Sequence, residues 1–289
     1  ASHGLSPALR WDQDDTHWGR LDIQTLAQRV ASLVAAVPAA RGERVAWLGF
    51  NHPAQIALLF ALAHRGAILV PLHPRQSPAD WAAIVADATP TTVLHDQAFA
   101  EPAQALAAAT GMQAMAVDDV HLNVQATTPD TGQPDDPVLL AYTAGTTDMP
   151  KGAVHTQASL LAQIAVAAQV QGINEADTVL SAIPLFDLAG ACAQTLAALS
   201  VGAPVLLHHR FDPEAVLASI ERQLTKLGSA PARILMATIY LTDLADCEAM
   251  NALWDAWIPP GSAPARACVK VAGLVDPGWR IEIALSAAR

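Results

Sequence analysis

Lysine is scarce in this 289-residue chain, occurring only as Lys151, Lys226 and Lys270, and charged residues of all kinds make up 15%. Formal net charge is −11, which argues against a non-specific nucleic-acid role, because such binding needs a basic surface. Three cysteines, Cys192, Cys247 and Cys268, lie far apart among apolar neighbours. They read as free thiols of a reducing compartment, the cytoplasm, and not as a disulfide framework. No C-x-x-C or H-E-x-x-H occurs, and His208-His209 lacks a partner cluster, so no metal is expected. Although 52% of residues are hydrophobic, no apolar run is long enough to span a bilayer; Ile56 to Pro71 is broken by His64, Arg65 and Gly66. The opening Ala-Ser-His-Gly has neither a basic region nor an apolar run, so no secretion signal is expected.

The most informative stretch holds one of the few lysines: Thr143-Ala144-Gly145-Thr146-Thr147-Asp148-Met149-Pro150-Lys151-Gly152. It follows an apolar run, Pro137 to Tyr142, and precedes a helical segment, Gln157 to Val170. A strand, a glycine- and threonine-rich loop and a helix would present N–H groups to an anion. Thr143, Thr146 and Thr147 can donate to phosphate oxygens, and Lys151 can neutralise charge. The loop is not a Walker A loop, because Lys151 is followed by Gly152. From composition alone, a phosphate cradle and a polar turn remain two open readings.

The flanking pattern repeats strand and helix. Leu26, Val30, Leu33 and Val37 recur at helical spacing behind Asp22, a candidate N-cap. Gly66 should end the next helix, Ser77 should cap a third, and Asp212-Pro213-Glu214 should start another. Short apolar runs between them predict parallel strands. Residues 1–20 read as an edge strand or surface arm. After Gly228, alternating strands flank a helix ending near Ile258, with Met250, Leu253, Trp254 and Trp257 on its apolar face. Ala267, Val269 and Val271 alternate with Arg266, Cys268 and Lys270; Ile281, Ile283 and Leu285 oppose Glu282. That alternation predicts an antiparallel pair of strands with Arg266 and Glu282 on the face opposite the apolar one. The expected fold class is α/β: a three-layer, largely parallel sheet unit over 1–222, then a small β-α-β-β α+β unit over 223–289.

Two family resemblances follow from ordered motifs. Tyr142 to Gly152 with His155-Thr156, Gly66-Ala67 before Val70-Pro71-Leu72, Arg44-Val45 before Asn51, and Pro184-Leu185-Phe186 with Gly190 resemble the N-terminal part of AMP-dependent acyl-CoA or aryl-CoA synthetases. The resemblance covers about Trp18 to Arg222. It implies adenylation of a small-molecule carboxylate with ATP and Mg2+, then transfer to coenzyme A or a carrier thiol. It also implies that Thr143, Thr146, Thr147 and Lys151 touch the phosphates, while Gly145 and Gly152 allow close backbone approach. Asp148 stands where the family usually has glycine, and Asp187 where it usually has histidine. Both aspartates can equally be exposed turn residues. The family's adenine-binding segment, ribose-binding aspartate and catalytic C-terminal lysine are not recognisable after residue 222. An incomplete ligase, weak or inactive, is therefore expected.

Residues 219–289 resemble the second half of the RidA-like (YjgF-like) enamine/imine deaminases through Ile239-Tyr240-Leu241-Thr242-Asp243, Ala249-Met250-Asn251 with Trp254, Pro264-Ala265-Arg266-Ala267 and Arg280-Ile281-Glu282-Ile283. That resemblance implies a cofactor-independent site acting on a 2-imino or enamine acid. Arg266 would bind the carboxylate, Glu282 would place water, and the chains would form a homotrimer. A non-catalytic hybrid of the two families is the third reading. No nucleic-acid or membrane partner is expected under any of them.

Overall fold

The computed structural model describes residues 7–13, 18–121, 131–143, 150–226, 228–271 and 281–288. The chain forms two compact units, Ala1–Arg210 and Phe211–Arg289.

The larger unit runs β1 (Pro7–Trp11), β2 (Arg20–Asp22), α1 (Ile23–Ala36), β3 (Arg44–Leu48), α2 (Pro53–Arg65), β4 (Ile68–Leu72), α3 (Pro78–Ala88), β5 (Thr92–His95), α4 (Ala100–Thr110) and β6 (Gln113–Ala116). It continues with β7 (Pro137–Thr143), β8 (Lys151–Thr156), α5 (Gln157–Gln171), β9 (Val179–Ser181), a π-helix Ala189–Leu196 leading into α6 (Ala197–Ser200), and β10 (Val205–Leu207). One sheet has the order β6-β5-β3-β4-β7-β8. It is parallel except for its last pair. The expected α/β architecture is therefore present. A second sheet, β2-β1-β10-β9, lies in the same unit. Its strand β1 is interior, not an edge, and runs parallel to β10 with Leu9 level with Val205.

Local chemistry explains the helix boundaries. The carboxylate of Asp22 accepts from Thr25 N at 2.6 Å and starts α1. Leu26, Leu33 and Val37 are then buried at helical spacing. Ser77 and Asp80 form a reciprocal capping box on α3. Gly66 closes α2 in the left-handed region, at φ 66°. The segment after Leu188 opens as the π-helix, a wider turn common near functional sites.

The smaller unit contains α7 (Pro213–Lys226), β11 (Ile234–Leu241), α8 (Cys247–Trp257), β12 (Ala265–Lys270) and β13 (Ile281–Ala287). Asp212 caps α7 by accepting from Ala215 N at 3.0 Å. The sheet order is β12-β11-β13, so β12 and β13 are not neighbours and the expected antiparallel pair does not form. The α8 crossover returns β12 parallel to β11, and β13 pairs antiparallel on the other side of β11. Ile234, Ala237, Ile239, Leu241, Met250, Trp254 and Ile258 form its core, with Leu224 packed against them. Leu253, expected on that apolar face, is exposed.

Candidate functional site

The glycine- and threonine-rich stretch is anchored by two strands. Thr143 ends β7, Lys151 begins β8, and their Cα atoms are direct cross-strand partners. This corrects the expected strand–loop–helix order: α5 begins only after β8, capped by Thr156, which accepts from Ser159 N at 3.2 Å. A hairpin arises because Lys151 to Thr156 pairs back along β7 as far as Pro137. The dipole of a helix therefore does not begin at the loop; the anchored charge is that of Lys151. Its side chain is exposed and makes no hydrogen bond or ion pair with another described residue. Gly145, Thr146, Thr147 and Asp148, together with the side chain of Thr143, lie outside what is described.

Gly152 sits opposite Tyr142. A Cβ there would meet Leu140 Cδ1 at 2.9 Å and the Tyr142 ring at 3.0 Å. A side chain here would have to displace Leu140 or the Tyr142 ring, a packing constraint its place in a phosphate-loop pattern does not announce. The Tyr142 hydroxyl donates to Asp87 on α3. Burial first, and then that carboxylate, push its ionisation well above the ordinary phenol range.

Beyond the ends of β3, β9 and β10, a second polar centre ties the two sheets together. Asn51 follows β3. Its Nδ2 donates to the carbonyls of Ile183 and His208, both at 2.9 Å, and its Oδ1 accepts from Leu185 N at 2.7 Å. Gln55 Nε2 donates to Leu185 O at 3.0 Å. The Pro184-Leu185-Phe186 segment is therefore fixed from two directions, and Phe186 stacks on His73, with ring centroids 4.1 Å apart. Gly190 seats the following π-helix: a Cβ there would lie 2.3 Å from Pro184 O. Asp187, where a histidine is usual among the resembled synthetases, accepts from Ala189 N at 2.9 Å, the geometry of a turn residue.

His208 and His209, which showed no partner cluster in sequence, do have carboxylate neighbours. His208 Nδ1 lies 3.4 Å from Asp12 Oδ2, and His209 N donates to Asp12 Oδ1 at 2.8 Å. Asp96 accepts from Phe50 N and Phe99 N. Burial raises its pKa, opposed by those N–H groups and by His209 nearby. Sequence reasoning missed this centre because its members come from positions 12, 51, 96 and 208. No group of three or more His, Cys, Asp or Glu among the described residues is placed to hold a metal. A cavity of about 520 Å³ beside α5 is lined by Leu161, Ile164, Ile173, Val201 and their neighbours, without a titratable side chain, and offers no chemistry.

In the smaller unit, Arg266 is level with Ala237, whereas Glu282 is level with Tyr240. The two positions are therefore three residues apart in register along β11. The reason is the intervening strand, which sets both registers independently. The Arg266 guanidinium lies over the Trp254 ring, 5.4 Å from its centre. Cys268, on the same face, packs against the helix-covered core, while Val269, expected on the apolar side, is exposed.

A largely parallel sheet joined through Asn51 to a second sheet, with Lys151 at the base of the β7–β8 hairpin, defines an α/β domain. The chain belongs to the AMP-binding enzyme family, which it matches over residues 2–253. It is similar to the indoleacetate–CoA ligase of Aromatoleum aromaticum, 31% identical over 250 residues, covering 81% of this chain and 49% of the relative. The inhibitor-bound N-terminal domain of FACL13 from Mycobacterium tuberculosis superimposes with a TM-score of 0.71 at 21% identity, covering 92% of this chain and 66% of that one. A short C-terminal stretch is similar to the RutC family protein YoaB of Escherichia coli, 49% identical over 72 residues, covering 25% of this chain and 62% of the relative. The chain spans about half the length of the indoleacetate ligase. Resemblance to acyl-CoA and aryl-CoA synthetases thus extends across most of it.

Proposed function

We propose that the larger unit binds Mg-ATP at the 143–152 hairpin as an adenylate-forming ligase module, with slow or no turnover in this chain alone. The observation that carries the reading is the exposed side chain of Lys151, held at the hairpin base opposite Thr143 with its charge unspent on any described residue. Thr143, Thr146 and Thr147 would donate to phosphate oxygens, Gly145 would let the backbone approach, and Gly152 would hold the hairpin closed. Bound ATP supplies the reactive phosphorus and its leaving group; Mg2+ arrives with the nucleotide. Lys151 offsets charge on the phosphates, and positioning of this kind contributes most of the catalysis in transfer at phosphorus. The substrate class we favour is an aryl or arylacetic carboxylate, as the name of the indoleacetate ligase suggests, with coenzyme A as the acceptor.

The junction between the two family resemblances falls within α7, after Arg222. The free cysteines favour a reducing cytoplasmic setting. A trimer through the smaller unit is the oligomeric state to look for by sedimentation. The deaminase reading is the weaker one, because the similarity behind it covers only 25% of the chain. Calorimetric titration with Mg-ATP tests the main proposal. Wild type should bind, and Lys151→Ala should bind about tenfold or more weakly, as expected for loss of a charge-assisted contact. A silent titration of the folded wild type, or equal binding by the variant, removes it.

A further inference from the structure

Helix α5 is apolar on more than one side. Leu160, Ile164 and Ala168 are buried, the first two in the core of the larger unit. On the opposite surface Leu161, Val166 and Val170 are 64%, 58% and 80% exposed. A surface helix ordinarily carries charged side chains there, and α5 carries none. None of the chain's 27 acidic residues falls between Lys151 and Ile173, and Lys151 is the one formal charge in that stretch. The strand leading into α5 is open as well. β8 is the last strand of its sheet and, among the described residues, pairs only with β7. Its residues Lys151 to Val154 are exposed. The outer row of N–H and C=O groups on such an edge is a template for a further strand.

We propose that β8 and α5 form the interface of a homodimer, in which β8 pairs antiparallel with β8 of a second copy and the two α5 helices pack side by side across the seam. Charge selects the occupant. Net charge is −11, so two copies repel over most of their surfaces, and they repel least where neither carries an acid. A basic partner would be met by acidic side chains, and this face has none. An uncharged face fits an equally uncharged one, and a second copy supplies it. Symmetry then selects the geometry. A twofold axis perpendicular to the sheet makes the two edge strands antiparallel and joins the two six-stranded sheets into one. The same axis leaves both α5 helices on one face of the joined sheet. Val166 and Val170, one helical turn apart, lose their exposure to water there. The edge that would otherwise recruit strands without limit is closed by a single partner.

The test is sedimentation velocity of the full chain over a concentration series, without nucleotide, so that it stands apart from ATP binding. Wild type should gain a dimerisation step as concentration rises. Val166→Glu/Val170→Glu sets like charges against each other across the axis and should weaken that step by about a hundredfold or more. Both positions are exposed, so the far-ultraviolet circular dichroism of the variant should match wild type. A trimer formed through the smaller unit would survive the double variant, which distinguishes the two contacts. Amide exchange supplies a readout that needs no variant: the β8 amides of wild type should exchange about tenfold or more slowly at high concentration than at low. A wild type with no assembly step that the double variant removes, or β8 exchange independent of concentration, overturns the proposal.

Discussion

Asn51 Oδ1 accepts the backbone N–H of Leu185 at 2.7 Å, across 134 residues of sequence. The same side chain donates to carbonyls on either side of it in space, Ile183 and His208. Three backbone groups, two of them in buried hydrogen bonds, depend on one amide. Asn51→Ala should destabilise the larger unit by about 2–4 kcal/mol, since each orphaned group costs about 1 kcal/mol or more. Urea denaturation checks this; Asn51→Asp should also destabilise, because a carboxylate cannot donate to the two carbonyls.

Gly152→Ala puts a methyl group against the Tyr142 ring. Because the ring is hydrogen-bonded to Asp87, it cannot simply swing away. The expected cost is about 1–3 kcal/mol, as for other overpacked sites. A thermal melt of Gly152→Ala compared with Gly152→Ala/Tyr142→Ala decides it: the double variant should recover part of the loss, and strict additivity would refute the contact.

Gly190→Ala should be more damaging than Gly152→Ala, because the obstructing atoms are backbone oxygens of Pro184 and Ile183 and not a mobile ring. The π-helix must shift as a body, and the Phe186 ring should lose its stack on His73. We expect poor soluble yield, or a near-ultraviolet circular dichroism spectrum altered in the aromatic region. An unchanged spectrum and melting temperature would show that the helix seat is loose.

Asp96 should make stability fall as pH rises. Its folded pKa is raised by burial, so the folded state holds that proton more tightly than the unfolded chain. The protonated form's advantage is fully present below the ordinary value of 3.8 and is lost as pH climbs through the folded value. Asp22 and Asp80 act oppositely: Thr25 N–H and the Ser77 hydroxyl, respectively, hold them low, so their contribution is lost on acidification. The comparison that isolates Asp96 is the urea midpoint against pH for wild type and Asp96→Asn. The difference should shift in favour of the variant from about pH 4 upwards; a flat difference contradicts the assignment.

The features legible in the sequence are those whose partners lie within a few residues. Asp22, Ser77 and Asp212 announced helix starts because the N–H groups they cap are three positions on. Gly66 announced a stop because its φ demands glycine. Lys151 stood out because lysine is rare and its neighbours are glycine and threonine. What stayed hidden was set by distant pairing. The β1 strand is interior only because β10, nearly two hundred residues later, lies beside it. The hairpin was hidden because Lys151 to Thr156 has no strong strand signature of its own and is ordered by β7. The registers of β12 and β13 against β11 are likewise something that alternation within each strand cannot supply.

The pairing of Thr143 with Lys151 gives the hairpin a parity rule. Side chains alternate along a strand, so sliding β8 by one residue against β7 would turn Lys151 to the opposite face and bring Gly152 or Pro150 to its place. Sliding by two would restore the face but displace the charge by about 7 Å along the strand. An insertion or deletion within β8 would therefore act as a discrete switch of side, with no graded intermediate, and would set a side chain in place of Gly152 against the Tyr142 ring.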